Sequence, residues 1–402
     1  MTHDFEVLLR RAFPWGVHVA RDSGPEFVSV RYGVVESDPP AATATVCLEW
    51  DSGETSQTVT AADLERAAVD GAVRLPNGVR LRQPEVGDVH LLASPLRDLV
   101  GPQVPSDDPW VARMRLHQSW WRTFRLRVPF GYGPTPSSEK RYGNMIDEDA
   151  ARHNRNFLTP EAARAYRQRV AEGPAGIDTW RTSRNLLASQ TMAFNVFGHL
   201  GAHLDLATQL FAALLGDDEV ALVRAIEMER LSDALGDRTA FDVFVTYERS
   251  GGGNGCVAIE TKLTEPFSQR AYDWKRYLSH TAFGTDVWAT SDASRLGDPR
   301  WSQLWRNHLL ARAECARAPE LGTATLMVVH HPGDPHCAAN VDGYRALLHD
   351  PRAVRGVDLQ AIVDTLRDCT AADDEHQQRW IRDLEDRYLD LRPSEGLIGL
   401  SD

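Results

Sequence analysis

The sequence predicts an α/β fold in which strands and amphipathic helices share one core. Residues 241–262 are the first observation, because two runs rich in Val, Ile and Phe flank the glycine-rich stretch SGGGNG, which is the pattern of a β-hairpin. Strand-like runs at 220–230 and 323–334 lie on either side of it. Apolar residues at helical spacing over 181–216 and 301–316 then predict helices that cover this sheet.

Charged residues stand in the hairpin where a buried strand should be apolar. Glu260 and Lys262 are two positions apart, so both project from one face of the strand. Asp242 opens the partner strand, and 17 residues separate it from Glu260. Two carboxylates can bind a hard divalent cation, Mg²⁺ or Mn²⁺. Such an ion activates water and polarises a phosphoryl oxygen, and a neighbouring lysine can orient the water or offset negative charge.

The alternative interpretation of this tripeptide is a solvated strand face, where E-x-K is common. Three features favour the site: the apolar run Val-Ala-Ile before Glu260, the aspartate that opens the previous strand, and the glycine turn between the strands. Charges that enter a buried strand are costly unless they are paired or bind a metal.

The pattern Asp-x17-Glu-Thr-Lys resembles the PD-(D/E)XK nuclease superfamily, with Phe241 in place of the proline. The stretches NRNFLTPEA, ASQTMAFNVFGHL and QLWRNHLLA extend the resemblance over roughly 115–345, to one bacterial restriction-endonuclease-like family. The resemblance implies a mixed central sheet flanked by helices. It also implies Asp242, Glu260 and Lys262 as catalytic residues, Asp242 and Glu260 as ligands of Mg²⁺ (or Mn²⁺), and DNA as the substrate.

The same resemblance implies further site residues. An acidic residue on the preceding strand often helps to bind the metal; Glu227 and Glu229 both qualify, and Glu227 is preferred. Polar residues on the surrounding helices are predicted to bind nucleic acid: Gln190, Asn195, Gln269, Gln303 and Arg306. The alternative for these helix positions is a solvent-facing or core role.

Composition limits the other possibilities. The chain is 42% hydrophobic and 25% charged, as in globular proteins, and has no apolar run long enough to span a bilayer. Its five cysteines are dispersed without a CxxC pair, and no signal pattern opens the chain, so a cytoplasmic protein is expected. Histidines 330, 331 and 336 with Cys337 lack a standard zinc spacing.

Charge is distributed unevenly along the chain. The net charge is −13, yet residues 111–190 hold 14 Lys and Arg against 7 Asp and Glu, interleaved with aromatic residues. Such a segment suits a phosphate-binding surface. Arginines on ordinary helix faces are the alternative.

These observations divide the chain into three predicted parts. Residues 1–105 form a small α+β accessory domain that begins with a helix at 5–13, residues 111–345 form the nuclease domain with a helical N-terminal part, and residues 346–402 form a helical extension. The predicted function is metal-dependent DNA hydrolysis, with a role in restriction or antiphage defence and a homodimer for double-strand cutting. The alternatives are an RNase, a structure-specific repair nuclease, or a catalytically silent nucleic-acid-binding module.

Overall fold

The computed structural model describes residues 18–21, 28–33, 43–50, 53–70, 72–75, 78–82, 99–173, 175–216, 219–236, 239–268, 274–334 and 336–395. The predicted helix at 5–13 and Gln269 lie outside these residues. The chain folds into two compact units. The first comprises Met1–Gly133, Ser137–Asp147 and Asp390–Asp402, and the second comprises Pro134–Pro136 and Glu148–Leu389.

The first unit contains short antiparallel sheets. Strands β1 to β6 form two three-stranded sheets, in the orders β1-β6-β5 and β2-β3-β4, and β7 pairs with β8. Their bounds are His18–Arg21 (β1), Val28–Gly33 (β2), Thr43–Trp50 (β3), Gly53–Thr60 (β4), Ala72–Arg74 (β5), Val79–Arg82 (β6), Phe130–Tyr132 (β7) and Arg141–Ile146 (β8). One helix, Ala61–Asp70, lies between β4 and β5. The described part of residues 1–105 therefore contains both strands and a helix.

The basic, aromatic segment of the first unit forms a helix, Pro109–Trp120, that is capped by the Asp108 carboxylate and continues as a π-helix, Trp121–Leu126. Arg122 is buried and donates to four backbone carbonyl groups, including that of Gly143. Arg115 pairs with Asp107 at 2.5 Å. Part of the positive charge predicted for phosphate binding is therefore used inside the fold.

The second unit is built on a five-stranded mixed sheet of order β13-β12-β11-β10-β9. The strands are Val220–Ser232 (β9), Thr239–Arg249 (β10), Asn254–Lys262 (β11), Leu321–His330 (β12) and Val354–Asp358 (β13). Strands β9, β10 and β11 are antiparallel, whereas β12 pairs in parallel with both β11 and β13. The predicted hairpin and its two flanking strands are all present.

The hairpin forms because its glycines permit the turn and its apolar residues fill the core. Gly252 and Gly253 have φ values of 91° and 77°, a region that disfavours other residues. Strand β11 is buried from Gly255 to Lys262, as expected for a central strand covered on both faces.

Strand β13 corrects the prediction that residues 346–402 are helical. Only Val354 and Val357 of this five-residue strand are buried, so its apolar pattern is too short to separate from the helical pattern around it. The helices Leu359–Cys369, Glu375–Tyr388 and Arg392–Glu395 follow it.

Helices precede and follow the strands of this sheet in the sequence. The helices before β9 are Glu148–Arg152, Pro160–Ala171, Thr179–Arg184, Ser189–Ala193 with the π-turn Phe194–Gly198, and Leu204–Leu215. Those after β11 are Trp274–Leu278, Ala293–Leu296, Ser302–Arg317 and Cys337–Arg345. The Ser302–Arg317 helix buries Trp305, Leu309 and Leu310 in one core with Phe244 and Val328 of the sheet. Among the described helices, none combines the length and hydrophobicity that a bilayer crossing requires.

Candidate active site

Strand pairing brings three carboxylates to one level of the sheet. Val243 pairs with Met228 on one side and with Ile259 on the other. The preceding residue of β10, Asp242, therefore stands between Glu229 of β9 and Glu260 of β11. Because this convergence follows from the hairpin register alone, the sequence could predict the meeting of Asp242 and Glu260.

Glu260 is buried, and three side chains hold its carboxylate. Gln303 donates to Oε1 at 2.7 Å, Asn307 donates to Oε2 at 2.8 Å, and the Lys262 ammonium lies 2.9 Å from Oε1. Gln303 and Asn307 are four residues apart on the Ser302–Arg317 helix, so both face the sheet from one stripe. The helix thereby fixes the orientation of the carboxylate.

Lys262 is buried beside Glu260 and keeps its charge. Its ammonium lies 3.3 Å from Gln303 Oε1 and 5.1 Å from the centre of the Phe267 ring. Burial acts to lower the pKa of Lys262, but the charge of Glu260 and the hydrogen bond to it outweigh burial, so the pKa is raised. Lys262 therefore provides a desolvated positive charge at neutral pH.

Asp242 is partly buried and electrostatically strained. Burial, and next the repulsion from Glu260, raise the pKa of Asp242 to about 7. The backbone amide and the hydroxyl of Thr261 both donate to Oδ2 at 2.8 Å and oppose this rise. Strand β11 thus supplies Glu260 to the carboxylate cluster and Thr261 to hold Asp242 in place.

The third carboxylate belongs to Glu229, and not to Glu227. Glu229 is buried, and burial followed by repulsion from Asp242 raises its pKa well above the usual value, whereas a hydrogen bond with Gln190 opposes the rise. Glu227 is half exposed and lies 3.5 Å from Arg230. The preference for Glu227 as an extra metal ligand therefore does not fit this geometry.

A local change of backbone conformation separates these two glutamates. Glu229 has φ of 49°, in the left-handed region that non-glycine residues rarely adopt. Arg169 donates Nε and Nη2 to the Glu229 carbonyl at 3.0 and 2.8 Å. This contact holds the unusual conformation, which simple strand alternation could not predict.

The donor set fits a hard divalent cation. Glu229 Oε1 is buried and has no hydrogen-bond partner among the described residues, so a carboxylate oxygen stands without a donor next to two further carboxylates. The ligand oxygens of the three carboxylates do not all lie within 4.8 Å of one another. A cation held by Asp242 and Glu260 would therefore keep waters, as Mg²⁺ does.

The helix residues predicted to bind nucleic acid have different environments. Gln303 positions Glu260, and Gln190 accepts from Thr182, donates to the Gly176 carbonyl and contacts Glu229. Arg306 donates to the Tyr277 hydroxyl at 3.1 Å. Gln303 and Gln190 therefore lie beside the carboxylates and orient them.

Asn195 lies inside the fold and not on a surface that could contact nucleic acid. It is fully buried; its Oδ1 accepts from the Leu158 amide, and its Nδ2 donates to the Asn156 carbonyl and the Tyr388 hydroxyl. Its polar character in an apolar stretch, which suggested nucleic-acid binding, is explained by this internal network.

The hydrogen bonds from Thr261 to Asp242 and from Asn307 to Glu260 were not predicted, nor was the contact of Gln190 with Glu229. Asn307 is one of the polar helix residues that the resemblance places near the substrate. The i, i+4 spacing of Gln303 and Asn307 was a usable signal for Asn307, whereas nothing in the sequence marks the backbone amide of Thr261 as a donor to Asp242.

Comparison with known proteins agrees with this geometry. The family model of the PD-(D/E)XK nuclease superfamily matches residues 105–390, a longer stretch than the resemblance at 115–345. No curated protein and no solved structure matches the chain. Enzymes of the superfamily are phosphodiester-hydrolysing nucleases that typically use divalent metal ions, so nucleic acid is the implied substrate. The chain belongs to the PD-(D/E)XK nuclease superfamily.

Proposed function

We propose that this protein is a Mg²⁺-dependent endonuclease that hydrolyses DNA, with Asp242, Glu260 and Lys262 as its catalytic residues. The observation that carries the proposal is the buried ammonium of Lys262 at 2.9 Å from Glu260, in a cluster where Asp242 and Glu229 have raised pKa values. A structural ion pair would not need two further carboxylates in repulsive contact.

Asp242 and Glu260 would hold the cation, with Glu229 as the third carboxylate in place of Glu227. When bound, Mg²⁺ (or Mn²⁺) would polarise a phosphoryl oxygen and lower the pKa of water. Lys262 orients the attacking water and offsets the negative charge that develops on the phosphorus oxygens. Gln303 and Asn307 keep the Glu260 carboxylate in one orientation through the reaction.

The choice of DNA rests on the resemblance noted in the sequence and not on a contact in the structure. Arg306 and Gln269 remain candidates for phosphate contacts, together with the exposed basic residues of 111–190. Double-strand cutting requires two active sites, so the proposal includes a homodimer, and restriction or antiphage defence is the proposed role.

The test is cleavage of plasmid DNA, short duplexes and RNA of matched sequence, each with Mg²⁺, Mn²⁺ or EDTA. Wild type is compared with Asp242→Ala, Lys262→Ala and the control Glu227→Gln, a half-exposed carboxylate on strand β9. We expect DNA cleavage that EDTA stops, that both catalytic variants lose and that the control retains.

Cleavage of RNA alone would replace DNA by RNA as the substrate and leave the site intact. Equal activity in wild type and Lys262→Ala would refute the catalytic assignment. Analytical ultracentrifugation in the presence of duplex DNA tests the homodimer.

A further inference from the structure

Three histidines lie close together outside the carboxylate cluster, and one glutamate lies beside two of them. One ring nitrogen each of His199, His203 and His376 lies within 4.8 Å of the others. Among the residues that the structure describes, this is the one group of three or more His, Cys, Asp or Glu side chains whose ligand atoms lie so close together. The Glu161 Oε2 atom lies 3.7 Å from His199 Nδ1 and 3.8 Å from His376 Nε2. We propose that these four side chains form a second, structural metal site that binds Zn²⁺.

The distances suit ligands of a shared ion better than direct hydrogen bonds. Two nitrogen or oxygen ligands of a tetrahedral Zn²⁺, each about 2.0–2.2 Å from it, are separated by roughly 3.3–3.5 Å. The two Glu161–histidine distances exceed this by a few tenths of an ångström, whereas a hydrogen bond would require about 2.7–3.2 Å. A small inward movement of the side chains would complete the site.

Two buried atoms of the cluster lack hydrogen-bond partners. Within the part of the chain that the structure describes, Glu161 Oε2 and His203 Nε2 are both enclosed without a donor or acceptor. Buried polar atoms are rarely left unsatisfied, because the free-energy cost of removing each from water is then not offset by a hydrogen bond. A cation between them would satisfy both.

His199 is already arranged as a metal ligand. Its Nε2 lies 2.8 Å from Gln377 Oε1, an acceptor, so Nε2 carries the proton. The lone pair of Nδ1 accepts from the Thr159 hydroxyl at 3.1 Å, and Glu161 Oε2 lies 3.7 Å from the same atom. A ligating histidine typically donates its other ring N–H to an oxygen in this way. The imidazole also stacks on Trp380, with ring centres 4.0 Å apart, which fixes its orientation.

The ligand types of the cluster suit Zn²⁺. Imidazole nitrogens and one carboxylate oxygen are ligands that this ion binds. The Thr159 hydroxyl lies 3.1 Å from His199 Nδ1 and would yield this position to the ion.

The position of the cluster indicates a structural role. Glu161 lies in the Pro160–Ala171 helix, His199 and His203 precede the Leu204–Leu215 helix, and His376 lies in the Glu375–Tyr388 helix. A shared ion would connect segments that are more than 170 residues apart in the sequence. A cavity of about 540 Å³ is lined by His203 and Gln377 at this side of the cluster.

The proposed site differs from the histidine-rich segment 330–337, whose spacing does not match a zinc site. His330 Nδ1 faces the His331 carbonyl, and His331 Nδ1 accepts from the Gly333 amide, so this segment is held by its own backbone. The informative pattern was instead the pair His199 and His203, separated by three residues.

The test uses protein stripped with EDTA and then dialysed, with ZnCl₂ as the probe, by calorimetry and thermal unfolding. We expect one Zn²⁺ per chain at the cluster, and a Tm increase of about 5–10 °C at a hundredfold excess over Kd. His203→Gln and His376→Ala should lose this increase. These residues are preferred to His199, whose full burial makes a folding failure the expected result of its removal.

Two controls separate this site from the nuclease site. His153→Ala removes an exposed histidine outside the cluster, and Asp242→Ala removes a carboxylate of the other site; both should keep the Zn²⁺-dependent increase. Visible spectra with Co²⁺ in place of Zn²⁺ report a tetrahedral nitrogen and oxygen site directly. No Zn²⁺ effect in wild type, or an unchanged effect in both His203→Gln and His376→Ala, would overturn the proposal.

Discussion

Two buried polar clusters in the second unit differ in how completely their hydrogen-bonding groups are paired. Asn156 accepts from Arg387 through both its carbonyl and its side-chain oxygen, at 2.6 and 2.7 Å, and its Nδ2 donates to the Thr182 carbonyl at 2.8 Å. The carboxylate cluster instead places Asp242 beside Glu260 and leaves Glu229 Oε1 without a donor among the described residues. The polar groups of the first cluster are paired with one another, whereas the second keeps an unpaired oxygen and repelling carboxylates.

Burial alone does not distinguish a functional polar residue from a structural one. Asn195 and Glu260 are both buried, yet only Glu260 belongs to a group whose charges repel one another. Glu229 shows a more specific indication of a functional site: a buried carboxyl oxygen without a hydrogen-bond donor, on a residue with an unusual backbone conformation.

The largest expected effect comes from Asp242→Asn, which removes a charge from the incomplete cluster. We expect cleavage to fall by about 10²–10⁴-fold, because a neutral amide is a poor cation ligand. The metal-free protein should nevertheless become more stable at pH 8, since the repulsion with Glu260 disappears. Cleavage rates and urea unfolding in EDTA measure the two effects, and a loss of both activity and stability would remove the distinction between the clusters.

Asn156→Ala tests the satisfied cluster. Arg387 would lose its side-chain acceptor while its guanidinium stays fully buried, so we expect the free energy of unfolding to fall by about 2–4 kcal/mol. Urea unfolding measures the change, and Gln168→Ala on an exposed helix face is the control. A near-neutral result for Asn156→Ala would show that this network does not stabilise the fold.

Asn307→Leu should reduce cleavage less than Asp242→Asn does. It keeps the volume of the side chain but removes the donor to Glu260 Oε2, so we expect a decrease in kcat of about 10–100-fold. Because Asn307 acts through Glu260, the Mg²⁺ concentration needed for half-maximal rate should rise as well. His308→Gln on the same helix is a comparison, since His308 contacts Tyr344 and not the carboxylates. A change in KM for DNA alone would indicate substrate contact instead of positioning.

The smallest expected effect is a pH dependence of stability. Asp242 has a pKa of about 7 in the folded protein and about 3.9 when unfolded, so the native state binds more protons between these values. The contribution of this group to stability is therefore present below about pH 4 and decreases as the pH rises to 7. We expect the difference in unfolding free energy between wild type and Asp242→Asn to grow by on the order of 1–3 kcal/mol from pH 5 to pH 8 in EDTA. A pH-independent difference would contradict the raised pKa.

The sequence was sufficient to predict which side chains lie close together where this depends only on the register of one hairpin. Asp242, Glu260 and Lys262 lie on one hairpin, and their spacing fixes their meeting. Arg387 and Asn156 are separated by 231 positions, so no local pattern could join them. Asn195 was misread for the same reason, because its partners come from distant segments.

Backbone conformation accounts for another limit of the prediction. Strand alternation treats Glu227 and Glu229 as equivalent, whereas the register of β9 against β10 places Glu229 beside Asp242 and Glu227 beside Phe244. Glu229 also has a left-handed backbone conformation that alternation does not predict. The strand Val354–Asp358 was missed because two buried valines do not make a recognisable period.

The side chain of Gln303 connects strand β11 to the loop that follows this strand. Its Nε2 donates to Glu260, and its Oε1 accepts from the Ser268 amide at 2.8 Å and faces the Lys262 ammonium at 3.3 Å. Glu260, Lys262 and the Ser268 amide therefore share one side-chain amide as a partner. A change in the position of Ser268 would alter the hydrogen bonding of both charged residues at once.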